Sequence, residues 1–268
     1  MDTVTGEVST VAGNGSQGSS GDGSPATEAQ LDSPRGLALD ASGNLFIADS
    51  RRDAVRVVNL TSGLIATALD LSLLMNTRTT EAGASFVSDL LAGHPGPCSL
   101  LSLQFSGIGA IATDETQNLF VVTSPKVFDF QHGLVILRVS MPEGAVSVYA
   151  GGGTETVVTG SVPALRARIT TGTMALDADG NLYYAEQDNV IRKIDPVTSM
   201  ISVVAGVPYS TAPKGDGGSA AAASFTRITS LTSDGQSIYV ADDQVVRRLY
   251  KPDPENLRRC LDCSGPRH

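Results

Sequence analysis

Four stretches of the chain run through the same order of apolar and polar positions. Each has an apolar strand, a polar turn, a second apolar strand ending near an acid, and a third strand carrying arginine. The second strands read Asn44-Leu45-Phe46-Ile47-Ala48-Asp49, Asn118-Leu119-Phe120-Val121-Val122-Thr123, Asn181-Leu182-Tyr183-Tyr184-Ala185-Glu186 and Ser237-Ile238-Tyr239-Val240-Ala241-Asp242. Their aromatic positions are spaced by 74, 63 and 56 residues. The same offsets carry Asp40 onto Asp114, Asp177 and Ser233, so the repeat extends beyond one motif. Alternation within the third strands, Val55-Arg56-Val57, Leu137-Arg138-Val139, Ile191-Arg192-Lys193 and Val246-Arg247-Arg248, predicts half-buried antiparallel strands. Asp40 to Asn44 and Asp177 to Asn181 carry the Gly and Asn of tight hairpins, which tolerate positive φ.

A fourth strand is expected to close each unit at an Ala-Gly pair: Ala12-Gly13, Ala92-Gly93, Ala150-Gly151 and Ala205-Gly206. Those glycines lie 80, 58 and 55 residues apart, which places an insertion within 70–90. The last unit has no such pair after Tyr250, and the spare strand, Gly6 to Gly13, stands at the N-terminus. Four antiparallel strands recurring at this spacing are the signature of an all-β, β-propeller fold. The expected organisation is a propeller over 1–250 with four sequence-visible blades and a C-terminal tail over 251–268. The blades span about 14–93, 94–151, 152–206 and 207–250, the last completed by 1–13. The same pattern fits part of a larger propeller.

The residues Val11-Ala12-Gly13, Gly21-Asp22-Gly23, Pro34-Arg35-Gly36 and Asn44 to Asp49, in this order, resemble an NHL repeat. The resemblance covers nearly the whole chain and is clearest in the first and third units. The Asn-His-Leu signature is replaced by Arg52-Asp53-Ala54, Asp188-Asn189-Val190 and Asp243-Gln244-Val245. The resemblance implies a non-enzymatic scaffold that binds protein partners through loops on one face. Propellers of this family usually have six blades, and some bind RNA through a positive face.

Composition narrows the chemistry. The formal charge of −9 disfavours sequence-independent nucleic-acid binding, which needs clustered Lys and Arg. No apolar run approaches 18 residues, so no transmembrane helix is expected, and no signal peptide is visible at Met1-Asp2-Thr3. The string Gly13-Asn14-Gly15-Ser16-Gln17-Gly18 fits a dinucleotide fingerprint, but Ser19 to Pro25 does not open the required helix, so it reads as an inter-blade loop. Asp49, Glu186 and Asp242 occupy equivalent positions, with Thr123 in the fourth. They either converge as a channel metal site, as in propeller hydrolases and lyases, or pair within their own blades. Repetition favours the second, so no metal or catalytic residues are assigned.

His94, His132 and His268 lack zinc-site spacing. Cys260 and Cys263 form a lone CxxC that fits a local disulfide, part of a longer Cys-rich segment, or free thiols. Asp22 and Asp216, each in a Gly-Asp-Gly loop, offer one acid each to a structural Ca²⁺, against the six to eight oxygens it takes. No other cofactor is expected. The binding positions assigned to loops are Asp22, Arg51, Arg52, Phe86 and Asp216. Phe86 lies in the segment Leu71 to Leu103, whose apolar spacing suits a rim helix or a packed loop for partner docking.

Overall fold

A computed structural model describes residues 8–71, 105–125, 133–141, 145–170, 172–210 and 214–250. Its strands form four antiparallel sheets arranged as the blades of a propeller. The first blade contains β1 (Pro34–Leu39), β2 (Asn44–Asp49), β3 (Ala54–Asn59) and β4 (Ile65–Asp70); the second contains β5 (Phe105–Thr113), β6 (Asn118–Pro125), β7 (Val135–Ser140) and β8 (Ala145–Gly151). A short strand β9 (Ser161–Pro163) precedes the third blade, β10 (Thr173–Leu176), β11 (Leu182–Ala185), β12 (Ile191–Ile194) and β13 (Met200–Ala205), and pairs with the outer edge of β13. The fourth blade contains β14 (Ile228–Ser233), β15 (Ser237–Asp242) and β16 (Val245–Tyr250). Single-turn 3-10 helices at Ala26–Glu28, Ala164–Arg166 and Ala220–Ala222 lie in the connections that enter the first, third and fourth blades.

The middle strands, β2, β6, β11 and β15, bury residues of both faces, which is why they carry apolar residues at consecutive positions instead of a simple alternation. Phe46, Ala48 and Val55 of the first blade meet Ile111, Val121 and Leu137 of the second in one apolar cluster. Phe120, Val122 and Ile136 meet Met174, Leu182 and Tyr184 in the next. Tyr183, Ala185 and Ile191 meet Leu231, Ile238 and Val240 in the third. The innermost strands of neighbouring blades touch in sequence, β1 on β5, β5 on β10 and β10 on β14. No comparable packing joins β14 to β1 among the described residues.

Four details depart from the sequence reading. The outer strand of the first blade is Ile65–Asp70, directly after the β3 hairpin, and not a strand at Ala92-Gly93. Leu69-Asp70 stands where the other blades have Ala-Gly, which hid it; Leu91 to Gly93 lie outside the described residues. Arg138 is not the counterpart of Arg56. Arg56 pairs with Ile47, one residue after Phe46, whereas Arg138 pairs with Phe120 itself. A shift of one residue turns a side chain to the opposite face; Arg138 is exposed and Leu137 fills the buried position. In the fourth hairpin the turn carboxylate belongs to Asp234, one residue beyond Ser233. Finally, residues 8–13, the described part of the N-terminal strand expected to complete the fourth blade, form no strand. Gly13 donates instead to the Ala26 carbonyl at 2.9 Å.

Candidate functional site

Asp40 shows how the repeated turns are built. Its Oδ1 accepts the Ser42 and Asn44 amides at 2.9 and 2.7 Å, and its Oδ2 accepts the Asn44 side-chain amide at 2.8 Å. Asp114 does the same for Thr116 and Asn118, and Asp177 for Asp179 and Asn181. A short carboxylate aimed at amides two and four residues onward stabilises a tight turn. These three acids are therefore engaged by their own hairpins. The Tyr183 hydroxyl also donates to Asp177, at 3.0 Å. Burial, then the Asp177 charge, pushes that phenol far above its ordinary range.

The third-strand arginines are held by a second repeated device. Arg56 is fully buried; its Nη2 lies 2.6 Å from Asp22 Oδ1 and its Nη1 donates to the Gln30 carbonyl at 3.1 Å. Arg192, also buried, lies 3.0 Å from Glu186 and 2.7 Å from Asp188, and donates to the Val157 carbonyl from Nε and Nη2. Arg247 lies 2.6 Å from Asp216 and 3.7 Å from Asp242, donates to the Ser224 and Lys214 carbonyls, and stacks on Phe225. In each case a guanidinium pins the loop entering the blade onto the sheet. Its planar fork suits several acceptors at once.

The acids ending the second strands work on the same loops. Asp49 accepts the Asp32 amide at 2.5 Å, Glu186 the Thr170 amide at 3.2 Å, and Asp242 the amides of Thr226 and Arg227 at 2.8 and 2.9 Å. All three are buried. Desolvation raises the Asp49 carboxyl, against the Asp32 amide and the Arg56 charge. It raises Glu186 likewise, against the Arg192 charge. These acids thus serve their own blades. In the second blade Thr123 and Leu137 replace the pair, and the Thr123 hydroxyl is buried with no partner.

Of the assigned binding positions, Asp22 and Asp216 face Arg56 and Arg247 as described. Partial burial opposes ionisation of Asp22, but the Thr67 hydroxyl and the Arg56 guanidinium hold its carboxyl below the usual value. One acid per loop, facing a guanidinium, is not the oxygen cage that Ca²⁺ takes. Among the described residues no three His, Cys, Asp or Glu side chains group as metal ligands. Arg52 lies 3.6 Å from Asp70 and donates to the Ser19 carbonyl. Phe86, the three histidines and the three cysteines lie outside the described residues.

Arg51 differs from the rest. It is exposed and borders an open groove of ≈ 780 Å³ formed by the loop between Thr10 and Pro34, with Asn14, Gln17, Leu31 and Asp32 on its walls. The Asn14 side chain fixes this loop by accepting the Ser16 amide and donating to the Glu28 carbonyl. Gly13 and Gly15 both take positive φ here, so the fingerprint-like string is a loop and opens no helix. Gln17 and Asp32, which the sequence did not single out, line the groove with Arg51 only through the fold of the loop.

Comparison with known proteins agrees with this architecture. A protein of unknown function from Bacteroides thetaiotaomicron superposes with a TM-score of 0.56 at 17% identity, over 81% of this chain and 47% of that one. A nidogen/laminin complex gives 0.44 at 17%, over 82% and 60%, and an auxiliary nutrient binding protein from Bacteroides ovatus gives 0.48 at 12%, over 82% and 48%. At 17% identity the first of these likenesses extends to fold alone. The chain spans about half to three-fifths of the length of these structures. No curated protein matches it in sequence. The family model for the Teneurin NHL domain matches residues 3–249, so the chain belongs to the Teneurin NHL domain family.

Proposed function

We propose that this chain is a non-enzymatic scaffold that binds a protein partner through its inter-blade loops, with the groove beside Arg51 as the contact. The observation that carries this reading is the commitment of the repeat's polar groups. Hairpin acids accept the amides of their own turns, and strand-end acids and buried arginines hold the loops. Among the described residues, a wide groove lies beside these loops, lined by Gln17, Leu31, Asp32 and the exposed Arg51. Such a surface suits an extended polypeptide, for which amides and carbonyls supply complementary partners. A propeller fold hosts many activities, so the site and not the fold decides function. Among the described residues no helix is long and apolar enough to cross a membrane.

A photo-crosslinking residue at Gln17 or Arg51 tests the reading, with one at the exposed Val197 in the β12–β13 turn as control. The expected result is a discrete protein adduct from the groove positions alone. Its purified partner should then lose at least tenfold in affinity to Arg51→Glu. Equal labelling at Val197, or adducts made only with nucleic acid, overturns the assignment.

A further inference from the structure

A pocket of ≈ 240 Å³ opens between the first and second blades, beside the β1–β2 and β5–β6 turns. Its lining combines apolar Phe46, Val57, Leu119 and Met141 with polar Asp40 and Asn118. The two blades are tied together here: the Thr113 hydroxyl donates to the Leu39 carbonyl at 3.1 Å, and the Gln117 side-chain amide to the Ser42 hydroxyl at 3.4 Å. Drug-sized sites run to about 300–1,000 Å³, so this pocket suits a smaller ligand built on one ring.

The other blades carry different side chains at the positions around it, and these show what the pocket would accept. Tyr149 packs edge-on to Phe120 with ring centroids 4.9 Å apart, whereas its counterpart by strand register, beside Phe46, is Ala68. Tyr183 and Tyr239 stand at the position of Phe46, and their hydroxyls donate to Oδ2 of their own hairpin acids, Asp177 and Asp234, at 3.0 and 2.9 Å. Phe46 has no hydroxyl to offer, and among the described residues Asp40 Oδ2 accepts only the Asn44 side-chain amide. Opposite the aromatic position, Arg138, Lys193 and Arg248 are the counterparts of Val57. In the fourth blade Arg248 lies 3.9 Å from Asp234 and over the Tyr239 ring. The first blade thus lacks a ring, a donor to its hairpin carboxylate and a cation, all at one place.

We infer that this pocket binds a small aromatic ammonium ion of the arylalkylamine class. Its ring lies among Phe46, Val57, Leu119 and Met141, as Tyr149 lies on Phe120. The ammonium donates to Asp40 Oδ2, replacing both the phenol and the cation of the later blades. A charge-assisted bond of this kind is about twice as strong as a neutral one. The site stands at the opposite end of β2 from Arg51, so it and the groove can be tested separately.

Calorimetric titration with phenethylamine should give one site with a Kd of about 1 mM. The neutral isostere 2-phenylethanol should bind about tenfold more weakly. Neither 3-phenylpropionate, an anion, nor ethylamine, which has no ring, should bind. With methyl-labelled methionine, the Met141 resonance should shift on titration while those of Met174 and Met200 stay in place. Phe46→Tyr and Val57→Lys each copy the third blade, and each should weaken phenethylamine binding at least tenfold without lowering the melting temperature. The Met141 methyl reads the site in the unaltered chain, independently of how these variants fold. No saturation by about 10 mM phenethylamine overturns the inference. So does 2-phenylethanol binding as tightly, a shift confined to Met174 or Met200, or unchanged affinity in both folded variants.

Discussion

Arg192 and Glu186 form an ion pair of 3.0 Å in which the arginine side chain is 1% exposed and the glutamate 6%. Asp188 closes on the same guanidinium from the loop, at 2.7 Å. Removing the cation would strand two acids in or near the core. Breaking one side of a buried pair typically costs about 3–5 kcal/mol. Arg192→Met should therefore lower the unfolding free energy by that order in urea titrations, and adding Glu186→Gln should return part of it. A loss below ~1 kcal/mol would mean the guanidinium does not hold this loop.

The same pair sets a pH dependence. Burial raises the Glu186 carboxyl above its ordinary 4.5, so the folded chain binds that proton more readily than the unfolded chain. The unfolding free energy should then decline as pH rises from 4.5 through the raised value, and level off above it. Glu186→Gln removes this decline. The expected signature is a variant close to wild type at about pH 4 that gains on it as pH rises toward about 7. A constant difference across that interval would contradict the assignment.

The second blade offers the complementary experiment. Leu137 and Thr123 stand where the other blades have arginine and acid. Leu137→Arg alone buries an unpaired charge, and Thr123→Asp alone does the same with the opposite sign; each should destabilise by several kcal/mol, on the order of other unpaired buried charges. Together they should cost less than the sum by about 1–3 kcal/mol, the range of coupling between contacting residues. Strict additivity would show that the two positions do not face each other.

The hairpins and the loop glycines can be tested separately. Asp40→Ala leaves the Ser42 and Asn44 amides without their acceptor and should cost about 1–2 kcal/mol. Gly206 has φ +106°, and a Cβ there would lie 2.7 Å from the Asn189 carbonyl. Gly206→Ala should exceed the usual ~1 kcal/mol cost of a lost glycine, because strain and a backbone clash act together. Thermal melts of both variants check these values.

The propeller was legible because the middle strands of its blades carry the same residue types at the same positions, leaving a repeat that survives changes in loop length. The errors came where one residue altered the geometry. Arg138 looks like Arg56 when neighbours are compared, but only pairing with Phe120 instead of Val121 shows that it faces out. The strand Ile65–Asp70 was hidden by Leu-Asp in place of Ala-Gly. The intra-blade role of Asp49, Glu186 and Asp242 was readable from repetition. The carbonyls of Gln30, Val157 and Ser224, which complete the arginine sites, were not, since any residue supplies a carbonyl and only the fold brings it near. Gln17 and Asp32 joined Arg51 for the same reason.

The claim that strand-end acids serve the fold, leaving function to the loops, is tested most directly by thermal unfolding with metal. Ligands that bind only the native state raise its melting temperature. The account predicts that Ca²⁺, Zn²⁺ and EDTA, each at about 1 mM, all leave the midpoint unshifted. A rise of several degrees with one ion bound per chain, abolished by Glu186→Gln or Asp242→Asn, would contradict it and mark these acids as a metal centre.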